Sequence, residues 1–203
     1  MVEKSMQKNK IKVVDNFLPK DEFDILKQTL ESSSFPWYWN YHSVENDGIT
    51  QFVHEFMDRE GVNSDFYSLL TSISLFSKLG AKKLAKCKAN LNYPTLENKI
   101  GVFHTDFDGD INYDLASNSF FSNKNITTSI LYINSNNGGT QFEDGTKIES
   151  VANRMVSFNC STKHTSVSCT DQNRRILINF NYFIAKEQKE IIKNIDKNNV
   201  SNI

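Results

Sequence analysis

Three side chains in this sequence have the types and spacing of a metal site. Phe103-His104-Thr105-Asp106 carries a His and an Asp two residues apart, and a lone His164 follows sixty residues later. Side chains of a strand alternate between two faces, so on an extended backbone His104 and Asp106 would point to the same side. With His164 the set becomes two imidazoles and one carboxylate. Such a set occupies one face of a non-haem Fe(II) and leaves positions open. A His-x-Asp pair alone says little, because it arises by chance and a lone strand histidine is more often a hydrogen-bonded structural residue. The order of the parts raises the odds: H-x-D on one strand, the second His several strands later, and Arg175 on the strand after that. His42 and His54 have no carboxylate at strand spacing and read as surface residues.

The arginine can be chosen by face. In the stretch Arg174 to Phe183, Arg174, Ile176, Ile178, Phe180 and Tyr182 share one side, and Arg175, Leu177, Asn179 and Asn181 the other. The apolar side should pack under helices, so the mixed polar side lines a cavity. Arg175 is then an interior guanidinium, and Arg174 lies outside. A buried arginine needs an anion, and its planar fork suits a carboxylate. None is obvious nearby in sequence, so a small dicarboxylate co-substrate fits.

The elements that would position these groups follow from periodicity. Lys12-Val13-Val14 reads as a short strand. Pro19, at a first helical position before Asp21 and Glu22, opens a helix whose stripe is Phe23, Leu26 and Leu30, and Ser32-Ser33-Ser34 ends it. Phe35-Pro36-Trp37-Tyr38-Trp39 is an aromatic cluster whose bland reading, a core plug, outweighs a place at the site's mouth. Phe52, Val53, Phe56 and Met57 suggest a short helix. A longer one is expected from the Ser64-Asp65 cap through Phe66, Leu69, Leu70, Ile73, Phe76 and Leu79 to a stop at Gly80. From Leu84 the period becomes two, with Ala85, Cys87, Ala89, Leu91 and Tyr93 on one face until Pro94. Strands are then expected at Ile100 to Asp106, Ile126 to Asn134, Thr140 to Phe142, Lys147 to Val151, Met155 to Asn159, Thr165 to Cys169 and Arg174 to Phe183. Asn153 suits a positive φ. Phe107 to Asn125 has no clear period and reads as a long loop of the kind that serves as a lid. Two helices ahead of many short strands give a mainly β fold, a sandwich or barrel with the helices bracing one face.

The bulk numbers set the frame. A chain of 203 residues with 38% apolar and 23% charged residues has the composition of one globular domain, here 1–185, with a polar tail over 186–203. Net charge is −1, which gives no reason to expect nucleic acid or an anionic membrane as partner. No apolar run approaches the roughly 20 residues of a membrane span, and no secretory h-region is visible. Three cysteines, Cys87, Cys160 and Cys169, read as free thiols in a reducing cytoplasm, where the sequons at Asn125, Asn159 and Asn199 carry no meaning.

At these residues the chain resembles the 2-oxoglutarate- and Fe(II)-dependent dioxygenases, especially the prolyl-4-hydroxylase-like branch. The resemblance spans Ala89 to Phe183. It rests on Tyr93-Pro94, His104-Thr105-Asp106, Tyr132-Ile133-Asn134, Gly138-Gly139-Thr140-Gln141-Phe142, His164 and the strand opened by Arg175. Asp15 to Pro19 and Phe35 to Trp39 look like segments of phage and marine bacterial members. The resemblance implies a double-stranded β-helix, a jelly-roll of the cupin kind with two N-terminal helices on the major sheet. It implies iron held by His104, Asp106 and His164, and the distal carboxylate of 2-oxoglutarate bound by Arg175 and the Tyr132 hydroxyl, with Tyr93 beside the co-substrate. The gap from His164 to Arg175 is slightly longer than in many relatives, which leaves Arg174 an alternative. The implied reaction consumes O2 and 2-oxoglutarate, releases succinate and CO2, and hydroxylates a C–H bond of a protein side chain, proline among them, or of a small molecule or amino acid. The nucleic-acid branch has a further arginine after the co-substrate arginine, and none follows Arg175 here. A jelly-roll binding module without catalysis is the reading from another class, and it leaves an interior Arg and both histidines without purpose.

Overall fold

The computed structural model describes residues 11–42, 49–106, 112–114, 119–121 and 126–184, the two short middle segments as backbone only. The expected tail lies outside them. In chain order the elements are β1 (Lys12–Val14), α1 (Lys20–Glu31), β2 (Tyr38–Asn40), β3 (Gln51–Met57), α2 (Tyr67–Ser72), α3 (Leu75–Leu79) and β4 (Ala81–Asn92). Then come β5 (Asn112–Asp114), β6 (Ser119–Phe121), β7 (Ile126–Tyr132), β8 (Gly139–Phe142), β9 (Lys147–Glu149), β10 (Met155–Asn159), β11 (His164–Val167) and β12 (Arg175–Ile184). Seven strands form one sheet in the order β1-β10-β7-β12-β4-β3-β2, three form a second as β11-β8-β9, and β5 pairs with β6. The pairings are antiparallel, so the fold is mainly β, as the spacing implied, with three helices among the described residues.

Strand β12 sits at the centre of the large sheet, between β4 and β7. Its alternation divides the molecule. Ile176, Ile178, Phe180 and Tyr182 share a core with Phe23, Leu26 and Leu30 of α1 and with Leu70, Leu75 and Leu79 of α2 and α3. Burying each large apolar side chain contributes about 1.5–3 kcal/mol. The opposite face of β12 carries Arg175, Leu177 and Asn179, which line a cleft. Asn153, at φ 62°, secures the N-terminal segment to this frame. Its Oδ1 accepts from Leu18 N at 2.9 Å and its Nδ2 donates to Leu18 O at 2.8 Å.

Five local expectations are corrected. Residues 51–57 form β3, not a helix, because pairing with β2 and β4 takes up their backbone groups and overrides an ambiguous pattern. The long helix over 66–79 is two short ones. Ile73 is extended at φ −107° and ψ 167°, Thr71 and Ser72 bond back to the carbonyls of Ser68 and Leu69, and the Glu22 carboxylate accepts from Ser74 N and Oγ at 2.9 and 2.7 Å. Only α1 is long. Residues 100–106 form no continuous strand, only isolated bridges at Ile100 and His104. Within the expected loop at 107–125 lies the β5–β6 pair, the remainder being outside the described residues.

His54 is no surface residue either. It is 3% exposed and packed against the rings of Phe35, Phe56 and Phe66. Its Nδ1 donates to Pro36 O at 2.8 Å and its Nε2 accepts from Ser64 Oγ at 2.7 Å. The aromatic cluster splits. Phe35 is core, whereas Tyr38 and Trp39 on the edge strand are exposed.

Burial lowers the pKa of His54 below the ordinary 6.5, against the raising bond to Pro36. As pH falls below 6.5 the unfolded chain takes up a proton that the folded chain resists, so the stability present above that value is lost with acid. The slope for one proton is at most about 1.4 kcal/mol per pH unit. The His54→Leu variant should therefore show a shallower fall of unfolding free energy between neutral and mildly acidic pH, read from urea titrations. An equal slope would remove His54 from the acid response.

Candidate metal centre

The two histidines meet through their backbones before their rings. His104 N donates to His164 O and His164 N donates to His104 O, each at 3.0 Å, an antiparallel hydrogen-bonded pair on the open edge of β11. Side chains of such a pair project to the same face, and the ring centroids stand 4.7 Å apart. Each ring is aimed by its own chain. The Nδ1 atoms of His104 and His164 lie 3.1 and 2.9 Å from the carbonyls of Val102 and Thr162. A carbonyl can only accept, so each Nδ1 carries the proton and each Nε2 presents a lone pair.

Asp106 completes the group. Its Oδ1 lies 3.9 Å from His104 Nε2 and 3.6 Å from His164 Nε2, and one ligand atom from each of the three residues falls within 4.8 Å of the others. Its Oδ2 is turned away and held. Thr128 Oγ1 donates at 2.7 Å, Asn181 Nδ2 at 2.8 Å and Asn179 Nδ2 more weakly at 3.4 Å. Burial alone would raise the Asp106 pKa, but the attraction of positive charge on His164, the Asn181 and Thr128 bonds and the attraction of charge on His104 outweigh it and bring it below the usual carboxylate value. Burial holds His164 neutral, against the pull of Asp106. Two imidazole Nε2 atoms and a carboxylate oxygen thus face one point. A divalent cation fits that donor set.

At the other end of the cleft Arg175 is 1% exposed. Its Nε, Nη1 and Nη2 donate to Ser150 Oγ at 3.1 Å, Asn92 Oδ1 at 3.1 Å and Gly139 O at 2.8 Å. All three acceptors are neutral, so a buried cation has no anionic partner among the described residues. A Cβ on Gly139 would meet Ile148 O at 2.2 Å, so only glycine lets β8 run this close to β9 beside the arginine. Tyr132 is fully buried with its ring 5.8 Å from the guanidinium carbon, and its hydroxyl donates to Thr140 Oγ1 at 2.7 Å. Arg174 lies outside, 3.6 Å from Glu31.

The structure thus brings together His104, Asp106, His164, Arg175 and Tyr132. It does not bring Tyr93. Phe52 pairs with Leu91, so residues 91 and 93 belong to the helix-covered face, and Tyr93 is 42% exposed against Phe52 and Trp39. Thr128, Asn179 and Asn181 were not singled out as partners of Asp106. The polar alternation of β12 placed both asparagines on the cleft side, but no local signal tied them to a carboxylate so distant in sequence.

No protein-family model matches the sequence, and no curated protein matches it. Solved structures do match. SnoK, a non-haem α-ketoglutarate-dependent carbocyclase from nogalamycin biosynthesis, superposes with a TM-score of 0.60 at 12% identity, over 87% of this chain and 80% of its own. HygX from Streptomyces hygroscopicus, solved with nickel and 2-oxoglutarate bound, gives 0.56 at 8% identity over 87% and 84%. A Trichoplax adhaerens prolyl hydroxylase, in complex with a hypoxia inducible factor oxygen degradation domain peptide fragment, gives 0.56 at 16% over 87% and 84%. The chain has the fold these oxygenases share.

The bond from Asn181 to Asp106 Oδ2 favours the ionised carboxyl. In the metal-free Asn181→Leu variant the Asp106 titration, followed by carboxyl carbon NMR, should move to higher pH than in the parent. An unmoved titration would show that the bond does not hold the charge.

Proposed function

We propose that this chain is an Fe(II)- and 2-oxoglutarate-dependent dioxygenase that hydroxylates a C–H bond, with release of succinate and CO2. The observation that carries the reading is the convergence of three candidate ligand atoms, His104 Nε2, His164 Nε2 and Asp106 Oδ1, where the two histidines line one cleft with a buried Arg175 that has no anionic partner among the described residues. The cleft is lined from the large sheet by Gln51, Asn92 and Arg175 and from the small sheet by Thr140, His164 and Thr165. Two sheets facing across a site support a double-stranded β-helix as the finer description, and residues 1–185 as one domain.

The residues divide the work by position. His104, His164 and Asp106 would hold the metal, and bound iron would couple O2 to the oxidative decarboxylation of the keto acid. Arg175 would take the distal carboxylate of 2-oxoglutarate in its fork, with the Tyr132 hydroxyl beside it. Ser150, Asn92 and Gly139 O keep that guanidinium oriented. Ile130 and Leu177 give the cleft an apolar wall that excludes water from the reacting groups. Thr128 and Asn181 fix the carboxylate plane of Asp106, so Oδ1 is the oxygen left for the metal.

The neighbouring structures support both substrate readings. The Trichoplax enzyme was solved with a peptide, which favours a protein side chain, prolyl among them; SnoK and HygX come from small-molecule chemistry. No described helix is long and apolar enough to cross a membrane. A jelly-roll binding module would leave the triad and Arg175 without a ligand, and predicts neither metal binding nor succinate.

Two measurements test the activity. Succinate release from 2-oxoglutarate under air with Fe(II), even without a primary substrate, should occur in the parent and vanish in Asp106→Ala while circular dichroism stays unchanged. A folded parent that binds no Fe(II) would sink the reading. In Arg175→Met the 2-oxoglutarate concentration for half-maximal turnover should rise on the order of 30-fold or more, since a buried charge contact is worth 2 kcal/mol upward. Arg174→Met should change it by about twofold at most, as expected for an exposed ion pair. The reverse ranking would reassign the carboxylate site to Arg174.

A further inference from the structure

We infer that the part of the primary substrate nearest the reacting centre is neutral and carries hydrogen-bond donors, hydroxyl or carboxamide, which the side-chain oxygens of Asn90 and Asn179 accept. This rests on the oxygenase reading and narrows its substrate. Asn90 and Asn179 line the cleft together with His104, His164 and Arg175. The Oδ1 atoms of both are withdrawn from water, and neither meets a donor among the described residues. Buried amide oxygens are nearly always bonded, and leaving one unmet carries a desolvation cost. Two such oxygens in one cleft, beside three candidate metal ligands, mark the place where a ligand's donors go.

The orientation of Asn179 is set by chemistry. Its Nδ2 faces Asp106 Oδ2 at 3.4 Å, and turning the amide over would set two oxygens against each other. In the β4–β12 register Leu177 stands opposite Asn90 and Asn179 opposite Lys88, so the two asparagines are diagonal neighbours on one face. A small rotation about the soft terminal torsion of an asparagine brings either oxygen to an arriving donor.

The co-substrate cannot satisfy them. The oxygens of 2-oxoglutarate are acceptors and its methylenes carry no donor. A cationic donor is disfavoured as well, because Arg175 lines the same cleft as a buried cation and the triad would add a metal cation beside it. A prolyl ring has no donor at all. Hydroxyl and carboxamide groups remain.

The test uses the full chain with Zn(II) and 2-oxoglutarate, observed by saturation-transfer NMR on added probes. N-acetylasparagine methyl ester supplies a carboxamide, methyl glucoside supplies hydroxyls, and N-acetylproline methyl ester has no donor. We expect transfer to one or both donor probes and none to the proline ester; the stronger donor probe identifies the source of the donors. In Asn90→Leu the affinity for the donor probe should fall about tenfold, the effect of one hydrogen bond to a buried acceptor. Asn90→Asp, which keeps an acceptor there, should retain the affinity, as a merely structural asparagine would not predict. Equal binding of the proline ester, or an unchanged affinity in Asn90→Leu while 2-oxoglutarate still shows transfer, would overturn this inference alone. Absence of 2-oxoglutarate transfer in the parent would overturn the activity reading and this inference with it.

Discussion

The site depends on a pair of main-chain hydrogen bonds, those exchanged by His104 and His164. Neither imidazole has to find the other. Once residues 95–106 lie along residues 160–169, the ring positions follow from strand geometry. That alignment is secured at several points rather than by a regular ladder. Thr95 N donates to Cys169 O, Ser168 N to Lys99 O, Gly101 N to Ser166 O and Asp106 N to Cys160 O. Gly101 has a reason to lack a side chain there, since a Cβ would stand 2.9 Å from Thr165 Oγ1. Each bond contributes about 1 kcal/mol net, but together they set two metal ligands that are sixty residues apart side by side.

The second constraint is the parity of β12. A one-residue slip would turn Arg175 into the core and bring Arg174 into the cleft. Register prevents this because Ile176, Ile178 and Phe180 fill the space under the helices while Arg175 pairs with Asn92 across β4. The same hydrophobic burial that makes the fold therefore selects which arginine is interior. Asn181 follows the parity of Arg175, and so comes to the carboxylate of Asp106.

Parity is also why this part of the site was legible in the sequence. Alternation over Arg174 to Phe183 contains the face assignment outright, and the H-x-D pair with His164 contains the donor set. The parts that were not legible depend on contacts between distant segments. His54 looks polar and local, yet its position among Phe35, Phe56 and Phe66 is made by three different elements. The helical spacing at 66–79 is real, but Glu22, from another helix, breaks it by bonding Ser74. At 52–57 an apolar pattern that suited a helix was decided by two neighbouring strands. Tyr93 fits a motif, and its placement is decided by the β3–β4 register, which no short motif contains.

A cleft floored by an arginine with no anionic partner, and by two amide oxygens with no donor, among the described residues would be a poor design for stability alone. Each unmet buried amide costs about 1–3 kcal/mol, and a buried cation without an anion costs several. The strands that carry these groups also carry, at alternate positions, the apolar residues of the main core, and each of those contributes about 1.5–3 kcal/mol. The two sets face opposite sides of one sheet. Polarity can accumulate on the cleft side without loosening the packing on the other, because no side chain belongs to both. That separation is what allows a marginally stable domain to hold lone pairs, a carboxylate and a guanidinium apart, in the arrangement that a metal, a dicarboxylate and a donor-bearing substrate would complete.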